Sequence, residues 1–140
     1  MRGITRPGNL RRFPGWGAQP IAIILWTLTI LWGGVIFYFS SLAGSQIPSV
    51  MPDFIPHFIE YFIFAALTAA AVWSTKKELP AGRLGLWAIT ITAIYAASDE
   101  FHQAFVPGRT PDGKDWAVDV AGAIAVAGII YLVRVLRSRR

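Results

Sequence analysis

Four runs of roughly twenty apolar residues, each about the helical length needed to cross a bilayer core about 30 Å thick, constrain this chain more than any other feature. They extend from about Pro20 to Phe39, Phe54 to Trp73, Leu84 to Phe105 and Trp116 to Val135. Between them, Ser40 to Asp53, Ser74 to Arg83 and Val106 to Asp115 carry the Pro, Gly and Ser that punctuate helices. A soluble domain has no use for so much apolar surface: 54% of the 140 residues are hydrophobic, 15% are charged, and the mean hydropathy is +0.49. The expected fold is all-α, a polytopic membrane protein built as a bundle of four transmembrane helices. Residues 1–140 then form one membrane domain, with basic tails at 1–19 and 136–140. Small residues at Ser41 and Ala43, either side of Leu42, offer a peptidase site after the first run. That run is longer than a signal-peptide core of about 7 to 15 residues, so it reads as a retained anchor.

Charge sets the orientation. Thirteen Lys and Arg against eight Asp and Glu give a net charge of +5 and a pI of about 10.1, which on a soluble domain would suggest nucleic acid. Here the basic residues sort by segment instead. Arg2, Arg6, Arg11 and Arg12 precede the first run, Lys76, Lys77 and Arg83 lie between the second and third, and Arg134, Arg137, Arg139 and Arg140 follow the last. Only Arg109 and Lys114 fall elsewhere. The positive-inside rule places both termini and the middle loop in the cytoplasm and the other two loops outside. Trp16, Trp73, Trp87 and Trp116, at or near the ends of the runs, suit the headgroup level. The expected partner is the lipid bilayer, with the basic tails near anionic headgroups, and no nucleic acid.

Of the eight carboxylates, Glu78 alone belongs to the cytoplasmic side; Asp53, Glu60, Asp99, Glu100, Asp112, Asp115 and Asp119 gather on the other, together with His57 and His102. At about 100° per residue, His57, Glu60 and Tyr61 share one stripe of the second helix. Tyr95, Asp99, His102 and Gln103 share an arc of the third, with Glu100 at its edge and Phe101 opposite, and Asp115, Asp119 and Gly122 align on the fourth. Ionisable groups inside a membrane face partners or water, so three such stripes predict one outward-opening polar cavity. Small residues permit the close approach this needs: Ala117, Ala121, Ala125 and Gly122 on the fourth helix, and Ala65, Ala66, Ala69 and Ala70 on the second.

Three chemistries are open to such a cavity, and a fourth reading is an ion-pair network that only locks helices together. With no Cys there are no disulfides, thiolate metal sites or Cys nucleophiles. Ser98 has no G-x-S-x-G context, which disfavours an acyl-enzyme. Acid and base work would draw on His57, Glu60, Asp99, Glu100 and His102. No motif calls for a cofactor, although a divalent metal could be held by His57, His102 and one or two of Glu60, Asp99, Glu100 and Asp119, with Glu100 foremost. Binding is the third: Gln103, Arg109, Asp115 and Asp119 could contact a ligand, and the Arg109 guanidinium suits a phosphate or carboxylate. Internal pairing of Arg109 with Asp99, Glu100 or Asp115 is slightly favoured over ligand gripping because those carboxylates outnumber it.

The block Ser98-Asp99-Glu100-Phe101-His102-Gln103, followed by Phe105-Val106-Pro107-Gly108-Arg109 and then Asp115, Asp119 and Gly122, resembles the VanZ-like family of small bacterial membrane proteins. Phe39-Ser40-Ser41, Asp53 with His57-Phe58, and Glu60-Tyr61 are similar to that family's earlier motif. Phe54, where members commonly carry Lys, and Pro56 before His57 are departures. The resemblance implies a multi-pass protein of the bacterial plasma membrane, in a family whose name-giving member confers low-level teicoplanin resistance. It carries over His57, Glu60, Asp99, Glu100, His102, Gln103, Arg109, Asp115 and Asp119. The function expected is engagement of an anionic or amphiphilic envelope molecule, such as a lipid-linked cell-wall precursor, a lipid headgroup or a lipoglycopeptide. A membrane-embedded hydrolase or transferase and a structural or assembly protein are the alternatives.

Overall fold

The computed structural model describes residues 19–46 and 52–139, and these include four long helices. Helix α1 spans Gln19–Ser40, α2 Phe54–Thr75, α3 Ala81–Gln103 and α4 Gly113–Ser138. Each apolar run has become one helix, with boundaries moved a few residues by local chemistry. Pro80, extended at φ −64° and ψ 153°, starts α3 three residues before the apolar run does. Asp112 starts α4: its side chain accepts a hydrogen bond from the Lys114 amide at 2.8 Å, so a cap sets the boundary rather than Trp116. The arginines before residue 19, Trp16 and Arg140 lie outside the described residues.

α2 is the centre of the bundle, touching α1, α3 and α4, whereas α1 and α4 do not meet. Chain direction alternates, so the α1–α2 and α3–α4 loops lie at one end and the α2–α3 loop at the other. The core is thin and built from small side chains. Ala65, Ala69, Ala88, Ala123 and Val126 join α2, α3 and α4, while Ile36, Tyr61, Phe64 and Ala96 join α1 to α2 and α3. A Cβ on Gly122 would lie 3.0 Å from the Phe58 carbonyl oxygen and the Phe62 nitrogen, and one on Gly85 would lie 2.9 Å from Ala127 Cβ. Those two glycines let the helix backbones approach. On α4 the close-packing face is therefore Asp119, Gly122, Ala123 and Val126; Ala117 and Ala121, expected to lie on it, are exposed. α1 is fastened by polar bonds as well. The Tyr95 hydroxyl donates to the Gly33 carbonyl at 2.6 Å, the Trp32 indole to the Glu60 carbonyl at 2.9 Å, and the Trp26 indole to Thr75 Oγ1 at 3.0 Å.

The outside of the bundle is apolar. Ile23 and Ile30 on α1, Leu86 and Ile94 on α3, and Ile129 and Leu132 on α4 are each more than half exposed, which water would penalise and lipid does not. Among the described residues, three helices are long and apolar enough to cross a membrane: Pro20–Ser40, Phe54–Thr75 and Gly113–Ser138. The chain is a membrane-embedded protein. α3 has the length, about 35 Å at 1.5 Å per residue. It is diluted by Arg83, Thr90, Thr92, Ser98, Asp99, Glu100 and His102.

Candidate functional site

Charges divide between the two ends of the bundle. Lys76, Lys77, Glu78, Arg83, Arg134, Arg137 and Arg139 mark the basic end, and all are exposed. The seven other carboxylates, both histidines, Arg109 and Lys114 belong to the opposite, acidic end.

Two loops close the acidic end over the helices. In Val106-Pro107-Gly108-Arg109 the Arg109 amide donates to the Val106 carbonyl at 3.1 Å, and Gly108 has φ 74°. Pro then Gly at the centre, with the glycine left-handed, is the pattern of a type II turn. The Gly44 amide donates to the Pro107 carbonyl at 3.2 Å, and a Cβ on Gly44 would collide with the Gly108 carbonyl. The two loops are thus stitched together where no side chain fits. That stitching sets Arg109 beside a cavity of about 280 Å³ lined by Gly44, Asp53, Gln103, Gly108, Arg109, Thr110 and Asp115.

Beneath the loops, polar side chains bridge helices. His57 Nδ1 on α2 lies 3.1 Å from Asp119 Oδ1 on α4. Glu100 on α3 accepts a hydrogen bond at Oε2 from the Asp112 amide at 2.9 Å, tying the end of α3 to the start of α4. One nitrogen of His57 and one oxygen each of Glu100 and Asp119 lie within 4.8 Å of one another, so three helices meet at this point. Asp119 is fully buried and Glu100 is 8% exposed, yet among the described residues Asp119 Oδ2 and Glu100 Oε1 have no hydrogen-bond partner. Also on α3, Gln103 Nε2 donates to Asp99 Oδ2 at 3.2 Å, and Asp99 Oδ1 is buried without a partner among the described residues.

Eight of the nine residues singled out in the sequence occupy three places, and Glu60 belongs to none of them. His57, Glu100 and Asp119 form the inner group. Gln103, Arg109 and Asp115 line the cavity, with Asp99 bonded to Gln103. His102 stands apart: its Nε2 is 3.0 Å from Ser41 Oγ, and its ring packs on Phe37 with centroids 4.4 Å apart. The joint placement of His57 and His102 that a metal site could have used is not formed, and Glu100, placed at the edge of its arc, sits beside His57 and Asp119 instead. Glu60 is half-buried and makes no side-chain hydrogen bond among the described residues. The favoured internal pairing of Arg109 is also absent: among the described residues the sole ion pair is His57 with Asp119, and the Arg109 Nε is buried without a partner.

Sequence reasoning overlooked two lining residues. Asp53 was counted among the carboxylates and not as a contact; it makes no capping bond to α2, which leaves its carboxylate at the cavity. Thr110 follows the turn directly, and its proximity to Arg109 in the chain was the available signal.

The profile of the VanZ/LLP1 family matches residues 25–134, a stretch that contains every one of these side chains. The chain belongs to this family. The resemblance expected from the S-D-E-F-H-Q block and the P-G-R turn is thereby established. No curated protein and no solved structure matches the chain. What a VanZ/LLP1 protein with this geometry can do chemically follows from the two adjoining parts. One is an accessible cavity with a cation whose guanidinium is not neutralised; the other is a buried knot of one imidazole and two carboxylates.

Proposed function

We propose that this VanZ/LLP1 protein lies in the bacterial plasma membrane with all four helices spanning and both termini cytoplasmic, and that its acidic end binds an anionic or amphiphilic envelope molecule. The positive-inside rule supports the orientation, because the exposed basic residues of the α2–α3 loop and the α4 terminus lie at one end. α3 spans in this reading because α2 and α4 pack along it, and its acidic residues are buried against them rather than against lipid.

One observation carries the binding role: the buried, unpartnered Arg109 Nε beside the 280 Å³ cavity. A guanidinium left unpaired among carboxylates is ready to take a phosphate or carboxylate from outside. The Asp53 and Asp115 carboxylates suit hydroxyls or an ammonium of the same ligand, and the exposed Phe101 and Phe105 beside the turn suit its apolar part. A lipid-linked cell-wall precursor or a lipoglycopeptide such as teicoplanin combines these groups.

The test is to express Arg109→Ala, Glu100→Ala, His57→Ala and His102→Ala, and to measure membrane levels, teicoplanin susceptibility and binding of a lipid-linked precursor by the protein in nanodiscs. The reading predicts that Arg109→Ala keeps its membrane level and loses binding at least tenfold. Unchanged binding and susceptibility at normal level would refute it. A purely structural role predicts the opposite pattern, lost level with unaltered binding per folded molecule.

A further inference from the structure

We propose that His57, Glu100 and Asp119 form a binding site for one divalent transition-metal ion, of which zinc and manganese are the chemically matched examples. The donors converge from three helices to within 4.8 Å of one another, whereas the chain segments that carry them lie far apart in sequence. Convergence alone is not the argument. Asp119 is fully buried and Glu100 is nine-tenths buried, yet among the described residues neither Asp119 Oδ2 nor Glu100 Oε1 has a hydrogen-bond partner. A buried carboxylate oxygen without a donor carries a desolvation cost that a cation removes. His57 supplies one positive charge at most and spends it on Asp119 Oδ1 alone. Among the described residues no basic side chain other than His57 pairs with these carboxylates: Arg109 makes no ion pair, and Lys114 is exposed.

The donor set selects the class of ion. One imidazole nitrogen and two carboxylate oxygens suit zinc, manganese or ferrous iron, and the absence of any cysteine thiolate disfavours cuprous copper. The site differs from an all-oxygen cage of the kind calcium and magnesium use, by virtue of its imidazole. Three protein donors are fewer than such an ion's usual coordination number, so the site is of the open type that accepts water or a ligand oxygen. Glu100 is already oriented by the Asp112 amide, the kind of outer bond that holds a ligating carboxylate in place.

The inference stands independently of the envelope-ligand reading. Where both hold, the ion offsets the carboxylate surplus at the acidic end and adds a second positive centre for an anionic group, near the one Arg109 provides.

The experiment uses the full chain in nanodiscs, with any affinity tag removed because histidine tags bind zinc. After chelator stripping, zinc and, separately, manganese are titrated by isothermal calorimetry, with bound metal counted by elemental analysis. The proposal predicts one ion per chain for at least one of the two metals and a higher unfolding temperature when it is saturated. It predicts at least a tenfold loss of affinity in Glu100→Gln and in Asp119→Asn, and none in His102→Ala, which removes the other imidazole. Glu100→Gln preserves shape and the Asp112 bond, so circular dichroism and gel filtration can certify its fold. Should Asp119→Asn fail to fold, His57→Gln replaces it. Substoichiometric binding by the unmodified chain overturns the proposal, as does one-to-one binding that Glu100→Gln leaves intact. Neither result touches the Arg109 assay above, so the two readings fail separately.

Discussion

The two ends of the bundle handle charge in opposite ways. At the basic end every Lys and Arg of the described residues is exposed, on a loop, on the first turn of α3 or on the last turns of α4, where water or headgroups solvate it. At the acidic end Asp99, Glu100 and Asp119 are buried within helices, and three of their oxygens lack partners. Exposed charges cost little and suffice to orient a membrane protein. Buried ones cost free energy that the apolar core does not return, and proteins retain such groups where they bind, react or specify a packing. Under the proposed function, the same small charged fraction serves orientation at one end and recognition at the other.

The sharpest way to break this comparison is at Asp119. Asp119→Ala removes the partner of the His57 imidazole and leaves a void where α2 and α4 meet, and it should destabilise the bundle by about 3 kcal/mol, the scale for breaking a buried pair. Unfolding by denaturing detergent would measure it. Gly122→Val ranks next, because the new side chain meets the α2 backbone at Phe58 and Phe62; overpacking of this kind costs about 1–3 kcal/mol. A loss there, with no change in Ala121→Val at the exposed neighbouring position, would separate the true packing face from the one helical spacing suggested.

Smaller effects sharpen the contrast. Gly108→Ala strains a left-handed turn position and should lower stability by about 1 kcal/mol while displacing Arg109, so ligand binding falls more than unfolding resistance does. At the basic end, Arg134→Gln with Arg137→Gln should alter stability by less than about 0.5 kcal/mol, the usual range for exposed positions. Their effect belongs to the fraction of molecules inserted in the right orientation.

Much of this architecture was legible in the residues. Helix positions followed from the apolar runs, and the turn at Val106-Pro107-Gly108-Arg109 followed from Pro and Gly in that order. The grouping of polar side chains was legible only in part. Angular position on one helix says which residues share an arc and not which neighbour that arc meets. α3 lies against α1, α2 and α4, so its arc divides: His102 turns to Ser41 and Phe37 on the α1 side, Asp99 stays with Gln103, and Glu100 turns to α4. The bonds from Trp32 and Tyr95 to helix carbonyls were invisible for a related reason, since their acceptors are backbone atoms that any residue type would offer.

The central claim is that the acidic end faces outward and presents its site there, and the lack of any cysteine makes this directly measurable. Thr110→Cys, beside Arg109 at the cavity, and Lys77→Cys, in the α2–α3 loop, each introduce one thiol into an otherwise thiol-free chain. In intact cells a membrane-impermeant maleimide should label the thiol of Thr110→Cys and leave that of Lys77→Cys unlabelled until the cells are lysed. Labelling of Lys77→Cys in intact cells, with Thr110→Cys protected until lysis, would contradict the account.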